Sequence, residues 1–140
     1  MREVKRSATV PQPPARMFEL INDVESYPQF VPGCTHARVE TRSPKEIVAT
    51  LWVRQGLLHA QFTTRNELEP DRRIHMRLVR GPFRMLEGDW ELTPDDEGCR
   101  VELTLKFAFS SRLASALFES LFQQTVESLV DAFVSRARAV

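Results

Sequence analysis

The segment Ser26-Tyr27-Pro28-Gln29-Phe30-Val31-Pro32-Gly33-Cys34 lies between a short helical pattern and a long series of strand patterns. Its two prolines each fix φ, remove a backbone donor and restrict the preceding residue, so we expect neither a regular helix nor a central strand here. The segment also carries two aromatic side chains and a valine, which need an apolar surface to cover. We therefore interpret this lid segment (residues 26–34) as a stiff, bent connection over the mouth of a curved sheet.

The residues before the lid segment predict one strand and one helix. Alternation from Val4 to Val10 indicates a first strand, which ends at the prolines that follow. Pro14 then occupies a first helical position, where proline is tolerated. Apolar residues continue at helical spacing, which predicts a short amphipathic helix to about Val24.

The residues after the lid segment predict six more strands, because the apolar period changes to two from His36 onward. Gly88 interrupts one strand pattern, which favours a bend or bulge there. Short turn signals between the strands indicate an antiparallel meander with one apolar and one solvated face. We expect the solvated face to carry Thr50, Arg54, Gln61, Thr63, Arg65, Arg73, His75, Arg77, Arg84, Arg100, Glu102 and Lys106.

The last segment, Ser110–Val140, predicts one long helix of roughly 40 Å. Its broad apolar stripe is expected to pack across the apolar sheet face and comprises Leu113, Leu117, Phe118, Leu121, Phe122, Val126, Leu129, Val130 and Phe133. The sequence therefore predicts a single α+β domain over residues 1–140, with a curved antiparallel sheet of six to seven strands wrapped around the C-terminal helix. Because a curved sheet touches a straight rod along only part of its length, we expect a gap of about 300–1,000 Å³, the size of a ligand pocket.

Composition and net charge exclude few classes of function. The formal net charge is zero, so global electrostatics favour neither nucleic acid nor an anionic membrane, and we expect no DNA partner. The sequence contains sixteen arginines but three lysines. This excess of arginine reflects either the base composition of the genome or the better fit of arginine to phosphate groups. Without a signal peptide or an apolar run long enough to span a membrane, we expect a cytoplasmic protein. Cys34 and Cys99 have no metal-ligand spacing and are expected to be free thiols.

Four spaced motifs resemble one known family. They are Asp23–Cys34, Phe62–Asn66, Gly81–Trp90 and Ala132–Ala137. Together they are similar to the coenzyme Q-binding and ribosome association toxin branch of the START-like, polyketide cyclase-like superfamily, which has a helix-grip fold. The resemblance implies either of two functions. One is binding of the large ribosomal subunit with inhibition of initiation, together with a small antitoxin-like partner. The other is binding of ubiquinone or a similar isoprenoid lipid in support of respiration, with no cofactor required.

Large side chains expected to face the gap are candidates for contact with a hydrophobic ligand. They are Tyr27, Phe30, Phe62, Met76, Leu78, Leu86, Trp90, Phe107, Phe118 and Phe122. The alternative for each is ordinary core packing. A buried Trp90 indole N–H needs an acceptor, which is either a quinone carbonyl or a neighbouring protein oxygen.

Four polar residues are also expected on the inward face: Arg6, Thr64, Asn66 and Arg80. A buried arginine must be paired, and Glu87 or Asp89 are the structural partners that we consider. The functional alternative is a site for a polar ligand headgroup at one end of the gap.

Arginines on the opposite face are candidates for a surface that contacts ribosomal RNA: Arg54, Arg65, Arg73, Arg77 and Arg84. A solvated sheet face is the alternative, and we expect no pair of aromatic rings there to read single-stranded bases. An aromatase- or cyclase-like enzyme is a further alternative. We do not expect catalysis, because no Ser-His-Asp, Cys-His or carboxylate pair stands out in the pattern, and His36, His59, His75 and Cys34 form no obvious triad.

Overall fold

The computed structural model describes residues 1–139, which form seven strands and three α-helices. The strands are β1 (Arg2–Val10), β2 (Cys34–Arg42), β3 (Glu46–Gln55), β4 (Leu58–Glu69), β5 (Arg73–Arg80), β6 (Phe83–Asp95) and β7 (Gly98–Phe109). The helices are α1 (Pro14–Asn22), α2 (Tyr27–Phe30) and α3 (Arg112–Ala139), with a 3₁₀ turn at Val24–Ser26.

All seven strands belong to one antiparallel sheet with the order β1-β7-β6-β5-β4-β3-β2. β2 to β7 form the predicted meander, and β1 joins it by pairing with β7, the last strand. α3 lies across the inner face and packs mainly on β1 and β7. The predicted α+β architecture, a curved sheet around one long C-terminal helix, is confirmed.

The lid segment differs from the prediction by one turn of helix. Tyr27–Phe30 form that turn, although we expected no regular helix there. Pro28 falls in the first turn, where its missing N–H has no intrahelical partner to lose. Gly33 follows with φ +83°, and its carbonyl accepts a hydrogen bond from the Arg54 N–H at 2.7 Å. The lid segment is thus tied to β3.

The apolar stripe of α3 is buried only over part of its length. From Phe122 onward the stripe is covered, and Phe133 is fully buried. Leu113 and Leu117, which we expected against the sheet, are 69% and 56% exposed, so that expectation was wrong. The straight helix leaves the curved sheet near its first turns, and these two leucines consequently have nothing to pack against.

The outer sheet face contains a buried polar network that we expected to be solvated. Thr50 and Thr63 are almost completely buried, with their hydroxyl oxygens 2.6 Å apart. Thr50 Oγ1 donates to Glu40 Oε1 at 2.8 Å, which leaves Thr63 as the donor to Thr50. Hydrogen bonds from Arg38 and Thr50 hold the pKa of Glu40 below its usual value.

Arg80 belongs to this outer network and does not project inward, as we had expected. A register shift opposite Thr63 and Thr64 leaves Val79 as an extra residue in β5. The shift turns Arg80 outward, where its guanidinium donates to Glu40 Oε1 at 3.1 Å. An alternating pattern read along a strand cannot anticipate such a bulge.

Gly88 allows β6 and β7 to approach closely. A Cβ at this position would lie 2.4 Å from the Thr104 carbonyl oxygen and 2.8 Å from a methyl group of Leu105. The first of these neighbours is backbone and cannot rotate away. A side chain at Gly88 would therefore push the two strands apart.

We expect Gly88→Ala to lower the free energy of unfolding by about 3 kcal/mol, because overpacking against backbone cannot relax cheaply. Gly56→Ala is the comparison: a Cβ there meets nothing closer than 3.9 Å, but φ is +59°, so backbone strain alone should cost about 1 kcal/mol. Urea denaturation of both variants measures the difference. Equal losses would show that steric crowding at Gly88 is unimportant.

Candidate functional site

A cavity of about 90 Å³ lies between the inner sheet face, α3 and the lid segment. It is lined by Val24, Tyr27, Ala49, Leu51, Phe62, Thr64, Asn66, Met76, Leu86, Trp90, Leu103, Leu105, Phe122, Val126 and Leu129. The volume is well below the expected size, and below the roughly 150 Å³ of a cavity that accepts benzene. Side chains therefore fill most of the predicted gap.

The candidate ligand-contacting residues divide between this cavity and the surrounding core. Tyr27, Phe62, Met76, Leu86, Trp90 and Phe122 line the cavity, whereas Phe30, Leu78, Phe107 and Phe118 do not. Phe107 is fully buried between other rings, and Phe118 packs against Phe109. Phe30 lies beyond the cavity, beneath the Arg136 guanidinium at 4.8 Å.

Sequence reasoning did not single out the aliphatic lining residues. Leu51, Leu103 and Leu105 share the inward alternation of their strands, so their facing could have been read from the sequence. Val126 and Leu129 lie on the apolar stripe of α3 and could have been found in the same way. Our selection favoured large and aromatic side chains, and size alone does not determine which residues border an empty space.

Phe133 joins the lid segment, α3 and the sheet. Its ring centroid lies 5.1 Å from Tyr27, 5.2 Å from Phe30 and 5.5 Å from Trp90, with nearly perpendicular ring planes in each pair. The Tyr27 hydroxyl donates to the Ile21 carbonyl, and burial raises the Tyr27 pKa far above its usual value. This aromatic cluster and this buried hydrogen bond hold the lid segment closed, together with its hydrogen bond to β3 at Gly33.

Two polar side chains interrupt the apolar cavity wall. Thr64 Oγ1 donates to Asn66 Oδ1 at 2.8 Å, and Asn66 is only 9% exposed. Within residues 1–139, neither the Asn66 amide nitrogen nor the Trp90 indole nitrogen has a hydrogen-bond acceptor. Neither nitrogen is fully buried, since Asn22 Nδ2 is the buried unpaired side-chain nitrogen of the described residues. Both are therefore donors that an oxygen acceptor on a bound molecule can pair with.

Arg6 and Arg80, the charged residues of the expected headgroup site, do not line the cavity. Arg6 lies at the edge of the sheet and donates to both carboxylate oxygens of Asp131, at 3.0 and 2.8 Å. Glu87 and Asp89, which we considered as partners for these arginines, contact His75 instead. The Asp89 carboxylate lies 2.8 Å from His75 Nδ1, and the Glu87 carboxylate lies 3.0 Å from His75 Nε2. The polar part of the cavity is therefore uncharged.

The arginines proposed to face RNA fall into two groups. Three lie in ion pairs: Arg65 with Glu46 at 3.4 Å, Arg73 with Asp89 at 2.7 Å, and Arg77 with Glu67 at 2.8 Å. Arg54 and Arg84 have no carboxylate partner in the described part of the chain and lie at the other end of the face. Positive charge is therefore least neutralised at that end.

A pair of rings stands on this outer face, contrary to our expectation. The centroids of His36 and Trp52 are 4.7 Å apart, and the Arg38 guanidinium lies 5.7 Å from the Trp52 ring. Trp52 is next but one to Arg54, so both side chains project to the same face. Because β2 and β3 are read separately in the sequence, the pairing of His36 with Trp52 across them was missed.

Cys34 is not activated by a histidine side chain, and both ring nitrogens of His75 are already occupied by the carboxylates of Asp89 and Glu87. The Cys34 thiol donates to the His36 backbone carbonyl oxygen at 3.6 Å, so its hydrogen bond is made to the backbone of His36 and not to the imidazole ring. Burial raises the pKa of the Cys34 thiol to about 11, which keeps it protonated. A protonated thiol is a weak nucleophile. Among residues 1–139, no three metal-ligating side chains come close enough to hold a metal ion.

Comparison with known proteins places the chain in a family. The family described as polyketide cyclase / dehydrase and lipid transport matches residues 10–134. The chain belongs to this family. The ribosome association toxin RatA of Escherichia coli is 40% identical over 141 residues, covering all of this chain and 89% of that protein. RatA of Vibrio cholerae is 43% identical, covering all of this chain and 98% of that protein.

Solved structures agree on the fold. The Zhui aromatase/cyclase from Streptomyces sp. R1128 superposes with a TM-score of 0.86 over 97% of this chain and 93% of that chain. At 20% identity this likeness concerns the fold, which hosts many activities. No helix formed by residues 1–139 has both the length and the apolar character needed to cross a membrane.

We expect stability to fall as the pH rises from about 9 to about 11, because the Cys34 thiol ionises more easily in the unfolded chain than in the folded protein. Below the unfolded-state pKa this contribution is fully present. In Cys34→Ala, the decrease in the free energy of unfolding over this pH interval should be smaller than in the wild type. Urea denaturation across the interval measures both slopes.

Cys34→Ala still contains Cys99 and Tyr27, whose pKa values are also raised by burial, so part of the alkaline decrease should remain. Identical slopes in wild type and Cys34→Ala would contradict a buried, protonated Cys34.

Proposed function

We propose that this protein associates with the large ribosomal subunit and thereby impedes translation initiation. The supporting observation is its similarity, along the whole chain and at 40% and 43% identity, to proteins named ribosome association toxins. Similarity that includes the lid segment, every strand and α3 supports a common mode of action more strongly than a shared fold does.

We place the ribosome-binding surface on the outer face of β2 and β3, around Arg38, Trp52 and Arg54. Arg54 is free of carboxylates, and Arg38 is held by one exposed ion pair with Glu40 at 2.9 Å. Exposed ion pairs contribute little to stability, so Arg38 can exchange a carboxylate for a phosphate at low cost. The adjacent Trp52 and His36 rings offer a stacking surface that single-stranded RNA segments use.

Arg73 and Arg77 are weaker candidates for phosphate binding. Their open groove also contains Glu46, Glu67 and Glu69, which oppose phosphate. Arg73 additionally bridges two carboxylates, Asp89 at 2.7 Å and Glu69 at 3.4 Å, and these raise its pKa. A guanidinium held at two points costs more to redirect than the free guanidinium of Arg54.

The variant Arg38→Glu/Arg54→Glu should lose cosedimentation with purified large ribosomal subunits, because two phosphate contacts become repulsive. Wild-type binding should weaken as salt increases. Arg73→Glu/Arg77→Glu should bind more weakly than the wild type but more strongly than the first variant.

Arg16→Glu/Arg100→Glu is the matched control, since it changes the same charge and also breaks ion pairs, at positions away from this surface. Circular dichroism checks that every variant is folded. Full pelleting of Arg38→Glu/Arg54→Glu, or equal loss in the control, would argue against this surface.

The cavity favours a second candidate function, the binding of a small apolar molecule with a carbonyl oxygen. Its wall is apolar except for Thr64 and Asn66, and it offers the free donors of Asn66 and Trp90. A quinone ring with an isoprenoid tail has this chemistry but exceeds the present volume. Binding would therefore require the lid segment to move away from Phe133.

Organic extraction of the purified protein should yield isoprenoid quinone detectable by mass spectrometry, and Asn66→Leu should carry less, because one donor to the carbonyl oxygen is lost. Asn22→Leu makes the same change outside the cavity lining and should carry as much as the wild type. Extracts without quinone, together with no rise in melting temperature on adding ubiquinone, would reject this second function.

A further inference from the structure

Three leucines at one end of the molecule are largely exposed. Leu57 is 85% exposed at the tip of the β3–β4 hairpin, and Leu113 and Leu117 are 69% and 56% exposed on the first turns of α3. Single exposed leucines are ordinary, but several at one end form a patch that folding does not explain. We call Leu57, Leu113 and Leu117 the leucine patch.

The hairpin tip and α3 are neighbours, which brings their exposed leucines to the same end of the molecule. The position of a Cβ on Gly56 would lie 3.9 Å from a methyl carbon of Leu121. Leu117 and Leu113 precede Leu121 by one and two helical turns on the same side of α3. Leu57 follows Gly56 directly. The hairpin tip therefore packs near the start of α3, and the leucines of both elements are exposed at this end of the molecule.

Arginines without carboxylate partners border the leucine patch. Arg112 begins α3, and Arg84 meets it across a shallow depression that also includes Ser111. Neither arginine has an ion pair in the described part of the chain. The nearby carboxylate of Glu119 is already bound by Arg2 at 2.9 Å, and Glu3 lies 3.7 Å from Lys106. The end of the molecule is thus apolar with a net positive rim.

We propose that this end docks peripherally onto an anionic lipid surface. Leucines on a helix and a hairpin tip can enter the boundary between headgroups and acyl chains, while Arg84 and Arg112 contact lipid phosphates. A phosphate-rich RNA would use the arginines but leave the leucines in water. A second copy of the chain would bring the same unpaired positive charges into repulsion. The surface shares no residue with the cavity lining or with the proposed RNA-facing site of Arg38, Trp52 and Arg54, although it lies at the same end of the sheet as Arg54.

Cosedimentation of the full chain with vesicles tests this docking. Vesicles of equal parts phosphatidylcholine and phosphatidylglycerol should bind the wild type, and vesicles of phosphatidylcholine alone should bind it much more weakly. Leu113→Ser/Leu117→Ser should reduce binding to the anionic vesicles about tenfold, through loss of apolar burial. Arg84→Glu/Arg112→Glu should reduce it about 30-fold or more, given roughly fivefold per basic residue near such a surface.

Two control variants accompany these substitutions. Leu113→Met/Leu117→Met keeps the patch apolar and should bind like the wild type. Lys45→Glu/Arg72→Glu makes the same charge change at the opposite end, where these residues also lack ion pairs, and should retain most binding. All substituted leucines and arginines are exposed, so melting temperatures should stay close to the wild-type value.

Several results would overturn the proposal. They are failure of the wild type to bind anionic vesicles, unchanged binding of the serine variant, and equal loss in the Lys45→Glu/Arg72→Glu control. A dimer that the serine substitutions dissociate, without any vesicle binding, would assign the patch to a second copy of the chain. Ribosome cosedimentation lost in the serine variant, again without vesicle binding, would assign it to the ribosome.

Discussion

The contact between Phe133 and the rings of Tyr27, Phe30 and Trp90 is the constraint on which the rest of the structure depends. A curved sheet and a straight helix share only a limited contact, and Phe133 lies within it, completely buried. Because the same ring also receives the lid segment, the position of α3 determines both where the lid closes and how much space remains beneath it. Aromatic pairs contribute about 0.5–1.5 kcal/mol each beyond burial, so three pairs on one ring hold these parts firmly together.

This arrangement limits what the cavity can do. The rings that close the lid also fill the interior, and about 90 Å³ is left, bordered by the unpaired donors of Asn66 and Trp90. A ligand of quinone size has to separate Tyr27 and Phe30 from Phe133, and its own burial must offset that loss. The polar wall explains why such an exchange is still chemically reasonable: a carbonyl oxygen would satisfy donors that the folded chain leaves without acceptors. Surface functions, by contrast, need no rearrangement of the core.

The strands, the long helix and most inward-facing residues could be predicted from the sequence, because alternation and helical spacing are local properties. The predictions were wrong where the facing or the burial of a residue depends on contacts between parts of the chain that are distant in sequence. Val79 is accommodated as a bulge, and this reverses the facing of Arg80. Leu113 follows the apolar stripe of α3 but lies beyond the reach of the curved sheet. Thr50 is buried because Glu40 and Arg80, from strands on either side of the β3–β4 pair, converge over it. Whether the N–H donors of Asn66 and Trp90 find an acceptor depends on how the side chains pack in the folded protein, and no local sequence pattern indicates this.

Zero net charge conceals an uneven distribution of positive charge. Most arginines of the sheet lie in ion pairs, and Arg65, Arg73 and Arg77 pair with a carboxylate on a neighbouring strand. Such pairs cancel each other's field. Among residues 1–139, Arg54, Arg84 and Arg112 have no carboxylate partner, and all three lie toward the end of the sheet that holds the β3–β4 hairpin and the start of α3. Lys45 and Arg72 are also without ion pairs in that range, at the opposite end of the sheet. Folding gains nothing from unpaired guanidinium groups beside exposed leucines. A protein whose formal charge predicts no anionic partner therefore presents one end that is suited to phosphate, and this end lies on rigid strands and a helix rather than on a long loop.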